Sequence, residues 1–426
     1  MNLMQWLRPF KPLRGGYFLH DESLDAGHRD FRPLPGGPPR VLHVPLANGP
    51  ETPADLLVHE GAEVTAGQLI ARSASGVGVH AALSGVVRAQ SQVATPYGEH
   101  VPATTIEVAA DAEDRPGELF EGQLDVPPAN VEAFVQRMRV AGANAGDLEG
   151  FAAGAAPKAL IVCGLDSSPP LTSRTQMLFR YGAIVIETAS LIHRLFGFYR
   201  TYLAVERGHA TLVRLCTRRS RGTPVRVADL VNRYPQADPR MLVRTILGRA
   251  LRPGQHPRDA GVVVVDVGDI VDFARALRGE AVTHRLVSIA GHGVREPGNY
   301  RVPIGTPVAD VLRAVGAGGT RQVVFDCLIS GPAVTNLATV VTQRTTAILP
   351  LWPADPPNPS PCIRCGLCQD VCPVELDPLA FYQWRGRRSV ERLHPQACLA
   401  CGLCDYVCPT ELPLMSRVRS GDDVSA

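Results

Sequence analysis

Nowhere in its 426 residues does the chain hold an apolar run approaching the roughly 18 residues that a membrane-crossing helix needs, so a spanning helix is not expected. The opening stretch, "MNLMQWLRPFKPLRGG", lacks the apolar core and cleavage site of a secretory signal, and a cytoplasmic chain is the expectation. Met1, Leu3, Met4, Trp6, Leu7 and Phe10, beside Arg8 and Lys11, read as a terminal arm packed on the protein's own surface. The competing reading is a short element touching a membrane or a membrane-bound partner. Excess charge of one sign is missing too: 43 basic residues nearly cancel 41 acidic ones, so no overall field selects nucleic acid as a partner. The local cluster Arg218, Arg219 and Arg221 in "CTRRSRG" reads as a solvated loop.

What remains is an ordinary globular composition, 45% hydrophobic and 20% charged, long enough for about two to four domains. "PLPGGP" closes an N-terminal arm (1–40). In 41–110, apolar residues come in twos and threes between turn residues such as Glu60-Gly61 and Ser84-Gly85, which argues short strands. This segment resembles half of a lipoyl or biotinyl barrel-sandwich, through Val58, Gly61, Val64, Gly67 and Gln68, then Val79-His80-Ala81. The carrier lysine is absent from its hairpin, which reads "VHAALSGVV", so the unit is expected to be structural and His80 a packed turn residue. Over 131–280 the periodicity alternates. "VEAFVQRMRVAG" is a helix ending at Gly142, "KALIVCG" a buried strand, and "MLFRYGAIVIETASLIHRLFG" mixes helix and strand; an α/β sandwich follows. A third unit (284–350) holds two short strands, a turn at Pro297-Gly298-Asn299, and a helix opened by Pro307 with Thr306 as its cap. The proline-rich stretch 351–361 is an extended tether.

The tail (362–417) carries "CIRCGLCQDVCP" and "CLACGLCDYVCP", eight of the 11 cysteines in two copies of C-x-x-C-x-x-C-x-x-x-C-P. A cube of iron and sulfide needs four thiolates, the two-residue gaps let one loop wrap three corners, and the cysteine before proline reaches the other cube. On that rule one [4Fe-4S] cluster takes Cys362, Cys365, Cys368 and Cys408, and the other takes Cys398, Cys401, Cys404 and Cys372. Zinc leaves the third and fourth cysteine of each array unexplained, and disulfides are disfavoured in a chain without an export signal. Phe381, Tyr382 and Trp384 are expected to shield the clusters. Cys163, Cys216 and Cys327 read as small buried hydrophobes.

Barrel-sandwich, α/β sandwich, strand–turn–helix unit and bacterial ferredoxin-type tail, in this order, resemble the C subunit of the Rnf complex, a membrane-bound ferredoxin:NAD oxidoreductase coupled to ion transport. "GGYFLH" is similar to that family's Gly-Gly-x-His arm. "IAGHGVREPGNYRVPIGTP" is similar to its SLBB (soluble-ligand-binding β-grasp) unit, and Gly331-Pro332 falls at its Gly-Gly-Pro turn. The resemblance implies a multidomain α/β and α+β fold: barrel-sandwich hybrid, α/β sandwich like the FMN/NADH-binding domain, SLBB-like β-grasp unit, and two-cluster ferredoxin domain.

Four elements of the family's flavin site are altered. The loop G-x-G-G-A-G-F-P-T, whose backbone amides face phosphate, corresponds to "AGANAGDLEGFAAG". There Gly142, Gly146, Gly150 and Phe151 remain recognisable, but Asp147 and Glu149 bring negative charge. E-C-E-P-Y-x-T corresponds to residues 166–172, where Asp166 and Ser168 replace the glutamates and Pro169 and Thr172 are kept. Y-P-x-G-G-E/A-K-x-L becomes "YPQADPRML", keeping Tyr234, Pro235 and Leu242. Q-N-V-G-T becomes "VDVGD", with Asp266 for asparagine. Together these imply a degenerate flavin and nicotinamide site, with FMN not expected.

The expected function is an electron-transfer subunit that passes single electrons through two [4Fe-4S] clusters, with no catalytic residue of its own. It would lie peripherally on the inner face of the cell membrane, among other subunits of a redox complex and with a soluble ferredoxin or flavoprotein as a further partner. The alternatives are a complete FMN-dependent NADH or ferredoxin oxidoreductase subunit, which bound flavin distinguishes, and a docking module with structural clusters, against which reversible reduction argues. Arg385, Arg387, Arg388 and Arg392 read as a solvated helix face rather than a docking site. His193, His209, His256, His284 and His292 lie apart from the arrays and receive no role.

Overall fold

A computed structural model describes residues 15–18, 27, 30–47, 53–112, 127–151, 157–168, 171–352, 357–383 and 393–420. Met1 to Phe10 of the arm, Pro169, Trp384 and the tail arginines Arg385, Arg387, Arg388 and Arg392 lie outside them.

The first unit is built from short strands in two sheets, one ordering Val41–Pro45, His100–Val108, Gly85–Ala94 and Glu63–Val64, the other Asp55–Leu56, Leu69–Arg72 and Gly78–His80. Alternation places Leu42, Ile70, Val87 and Ile106 between the sheets, each at most 1% exposed. His80 ends the Gly78–His80 strand, half-buried.

The central unit has four parallel strands ordered Val225–Leu230, Arg200–Glu206, Ala159–Cys163, Val262–Asp266. Numbered along the chain this is 3-2-1-4, a doubly wound half-sheet whose order reverses between Ala159–Cys163 and Val262–Asp266. The segment expected to mix helix and strand is one helix, Ser173–Phe196. It is apolar on nearly every face because it packs against the helices Val267–Leu277 and Ala210–Arg219 and the sheet, so helical periodicity is masked and β-branched Ile184, Val185 and Ile186 imitate a strand. Phe134 meets Phe196 and Phe273 edge-on at 5.7 and 5.8 Å in the core. Arg218 and Arg219 form the last turn of Ala210–Arg219 rather than a loop, where cations complement the helix dipole. Val131–Ala141 ends at Gly142, whose φ of 76° closes the helix as expected.

The third unit's sheet orders Arg32–Pro33, Gly298–Pro303, His284–Ile289, Ala347–Leu351, Gln322–Phe325 and Ala333–Val334, so a piece of the arm serves as its edge. Two local expectations need correcting. Gly298 and Asn299 already pair within the strand, Asn299 fully buried. Pro307, not Thr306, occupies the cap of Val308–Ala314. Thr306 is fully buried and donates its hydroxyl back to the Pro303 carbonyl at 2.7 Å, while the carbonyls of Thr339 and Leu337 accept from Val308 and Ala309.

Candidate iron–sulfur centre and the switch-point crevice

The two cysteine arrays fold alike, residue for residue. Arg364 and Ala400 take φ of 58° and 56°, Gly366 and Gly402 81° and 75°, Glu375 and Glu411 59° and 54°. Left-handed residues at matching places bend each loop so that amides turn inward on sulfur: Arg364 N–H donates to Cys362 Sγ at 3.3 Å, and Ala400 N–H to Cys398 Sγ at 3.4 Å. Short helices, Leu367–Val371 and Leu403–Tyr406, follow each glycine.

Cys372, Cys398, Cys401 and Cys404 line one cavity, closed by Leu376, Leu403, Met415 and Val418. Phe381, 4% exposed, packs against Val418, Leu376 and Cys398, while Tyr382 stays partly exposed and Trp384 lies outside the described residues. Burial, joined by the nearby Cys372 and Cys398, pushes the Cys401 thiol up to about 12 against the Leu403 amide. Burial raises Cys404 as well, with Asp405 and Cys401 adding to it. Thiols so placed repel one another as thiolates, and a cationic iron core inverts that balance. Among the described residues no three His, Cys, Asp or Glu side chains converge as a single-ion site, and all 11 cysteines are free of disulfides. Four thiols around a cavity suit separate corners of a cube.

The other four, Cys362, Cys365, Cys368 and Cys408, are more open. Residues 357–361 lie over the Cys408 turn, with Ser360 N–H donating to the Thr410 carbonyl (3.1 Å) and Asn358 N–H to Glu411 (2.8 Å). Burial raises Cys368, with Asp377 and Cys365 adding to it against local amides. Burial also opposes ionisation of Cys408, but the Thr410 hydroxyl and the Leu412 and Thr410 amides outweigh it, leaving that thiol below its usual value. Cys365 is exposed, as are Ile363 and Leu367 at 65% and 46%.

The second centre is instead packed on the body. Gly16 N–H donates to the Val371 carbonyl at 2.9 Å, and Tyr17 meets Tyr406 edge-on at 5.5 Å. Leu403 is fully buried in an apolar group with Tyr234, Cys327 and Val371. Cys163 and Cys216 are also buried, which pushes each thiol up to about 11.

In an open α/β sheet, ligands enter the crevice beyond the carboxyl ends of the strands where their order reverses. Here the described residues at that place bond to one another. The free amides at the start of Ser173–Phe196 are all taken: Thr172 and Ser173 N–H donate to Ser288 Oγ at 3.1 and 3.0 Å, Arg174 and Thr175 N–H to Asp166 at 2.9 and 3.2 Å. Arg174 Nε pairs with Asp266 Oδ2 at 2.5 Å across the reversal, and Asp266 Oδ1 accepts from Gly268 N–H at 2.8 Å, capping Val267–Leu277. Arg285, 5% exposed, pairs with Asp272 at 2.6 Å and lies 3.8 Å from Asp269. Four carboxylates thus face two guanidiniums, and burial raises Asp166 to about 6 and Asp269 to about 7. A phosphate would add negative charge to a place already short of cations.

In the described part of the glycine loop the two carboxylates are paired. Asp147 lies 3.7 Å from both His256 and Arg258, and Glu149 3.0 Å from Arg139. A Cβ on Gly150 would sit 3.2 Å from Arg258, and one on Gly142 only 2.6 Å from the Gly78 carbonyl. Gly142 is therefore needed where the barrel touches the first helix, and Gly146 opens a short 3-10 turn, Gly146–Phe151. The thiols around the second cavity suit an iron–sulfur cluster, while the described part of the glycine loop carries the carboxylates of Asp147 and Glu149. Arg174, Ser288 and Arg285 went unread in the sequence. Asp266 did carry a signal: an aspartate directly before a helix is a cap.

Four known domains match in chain order: the RnfC barrel sandwich hybrid domain (34–113), the Nuo51 FMN-binding domain (148–274), the SLBB domain (286–323) and a 4Fe-4S dicluster domain (361–412). The C subunit of the ion-translocating oxidoreductase complex of Rhodobacter capsulatus is 28% identical over 80% of this chain and 69% of its own length. The C subunit of the proton-translocating ferredoxin:NAD(+) oxidoreductase complex of Clostridium ljungdahlii is 26% identical over 86% and 83%. The corresponding subunit of Edwardsiella ictaluri is 27% identical over 81% of this chain but 45% of its own length; this chain spans about half of several such relatives. Among solved structures, an NAD+-reducing [NiFe]-hydrogenase in its H2-reduced state superposes with a TM-score of 0.48 at 17% identity, over 68% of this chain and 63% of its own. The resemblance to the C subunit of the Rnf complex holds in domain content and order.

Proposed function

We propose that this Rnf-C-like chain is the iron–sulfur electron-transfer subunit of an ion-translocating oxidoreductase and works without a flavin of its own. The dicluster match and the C-subunit relatives support the electron-transfer role. The observation that carries the finer reading is the switch point whose described residues bond to one another, with Asp166, Arg174 and Asp266 where a cofactor phosphate would bind. The chain's cysteines hold two [4Fe-4S] clusters: Cys362, Cys365, Cys368 and Cys408 at one, Cys398, Cys401, Cys404 and Cys372 at the other. When bound, the clusters take up and release single electrons. Cysteine loops position them, inward amides stabilise charge on sulfur, and Leu376, Phe381, Met415 and Val418 keep water from the second centre. No acid, base or nucleophile is required.

The partners are other subunits of the redox complex, with a soluble ferredoxin or flavoprotein as an electron source or sink. No helix among the described residues is long and apolar enough to cross a membrane, and the chain sits peripherally on the inner face through those subunits. The match to an FMN-binding domain favours a second reading, a complete flavin subunit. Anaerobic purification followed by iron, acid-labile sulfide and released-flavin assays on one sample separates them. About eight irons per chain without flavin supports the wire; stoichiometric FMN overturns it.

A further inference from the structure

The segment read as the third flavin-site element, "YPQADPRML", does something else in the fold. Tyr234 is buried, and its hydroxyl donates to the Cys401 carbonyl at 2.6 Å and lies 2.9 Å from Ser330 Oγ. Its backbone pairs both ways with Tyr17 in the arm that reaches Val371. One helix on, Arg240 donates from Nη1 to the Cys398 carbonyl at 3.2 Å, and Arg244 from Nη1 to the Pro373 carbonyl at 2.8 Å. Both lie on Pro239–Leu247, four residues apart and so on one helix face. Three side chains from eleven residues therefore grip backbone carbonyls of three points around the second cluster, both cysteine loops included.

The two arrays share their left-handed backbone positions but differ in what holds them. Gly402 in the second lies where a Cβ would be 2.8 Å from Ile329, while nothing stands within 4 Å of the corresponding point on Gly366. The first loop faces outward with Cys365 exposed.

We infer that Tyr234, Arg240 and Arg244 are positioning residues for the cluster of Cys372, Cys398, Cys401 and Cys404, clamping its loops and stabilising its one-electron-reduced state. This rests on the two-cluster reading above. A cluster held there would gain one negative charge with each electron taken from a low-potential one-electron donor, and the two guanidiniums that hold carbonyls of its loops would offset that charge. Each arginine has a carboxylate behind it, Asp238 at 3.7 Å from Arg240 and Glu375 at 2.5 Å from Arg244. Removing the guanidiniums takes away a cation and uncovers an anion, and both changes disfavour the reduced state.

The test is an anaerobic potentiometric titration of the full chain with its clusters, followed by electron paramagnetic resonance, for wild type, Arg240→Gln/Arg244→Gln, Arg240→Lys/Arg244→Lys and Tyr234→Phe. Iron and sulfide are counted first. The glutamine pair should make one cluster about tenfold harder to reduce, about 59 mV for one electron, and leave the other unmoved; Cys404→Ser should abolish the shifted signal. The lysine pair should restore most of the potential, as charge requires, and Tyr234→Phe should broaden the same signal. Full iron with both potentials unmoved, or both moved equally, overturns the clamp while leaving the two-cluster reading intact. Wild-type protein without iron overturns both.

Discussion

Replacing Arg174 by alanine should strike the switch-point crevice at its centre. The guanidinium is 15% exposed, donates to Asp266 at 2.5 Å and to the Leu165 carbonyl at 3.3 Å, and is the cation between two capped helix starts. Its loss leaves Asp266, whose side chain is 22% exposed, without its charge partner, and breaking a buried pair from one side costs about 3–5 kcal/mol, of which the lower end applies at this exposure. For a domain of this size that lowers the melting temperature by about 10 °C. Calorimetry or near-ultraviolet circular dichroism on the cluster-loaded chain measures it. The comparison variant is Arg174→Met/Asp266→Ser. Serine keeps an acceptor for Gly268 N–H while the charge pair disappears altogether, so the double variant should be more stable than Arg174→Ala. A melting temperature for Arg174→Ala within about 2 °C of wild type, or a double variant that adds a second full penalty, would refute the claim that the crevice is held by this pair.

Three further outcomes follow from the geometry. Gly402→Ala should destabilise the chain more than Gly366→Ala in paired thermal melts, because both enter a left-handed backbone, a cost of about 1–2 kcal/mol, but only the former meets Ile329. Cys372→Ser and Cys404→Ser should remove the same resonance signal and Cys368→Ser a different one; if Cys372→Ser matches Cys368→Ser instead, the crossed ligation is wrong. Burial lowers His80 from 6.5 to about 4, so the unfolded chain binds more protons between those values. The stabilising effect of neutral His80 is thus complete above pH 6.5 and lost as pH falls toward 4; His80→Gln should show a shallower acid dependence of barrel stability by hydrogen exchange, and equal slopes would count against it.

The cluster loops were legible because their chemistry repeats in the sequence: two arrays with the same gaps, glycines and prolines leave few alternatives. The barrel was legible from turn residues at short intervals. The long helix Ser173–Phe196 was not, since a helix buried on nearly all faces loses its polar stripe. The flavin elements could be read as departures from the family pattern, but not the contacts that their residues make. Asp166 reaches amides eight and nine residues on, yet Ser288 closes the same helix start from more than a hundred residues away, and Asn299 orients both Ser288 and Thr172. Local pattern carries no trace of such contacts. The same holds for "YPQADPRML": its kept tyrosine pointed to an inherited site, while Arg240 and Arg244 gain meaning only once the tail folds back on them.

The most direct test of the account is to add NADH anaerobically to the purified, cluster-loaded chain and follow bleaching of its visible absorption, with a low-potential one-electron donor as the comparison. The account predicts that the donor reduces both clusters reversibly and that NADH alone leaves them oxidised, as the proposed chain without a flavin of its own requires. Bleaching by NADH in the isolated chain would contradict it and return the switch-point crevice to cofactor binding.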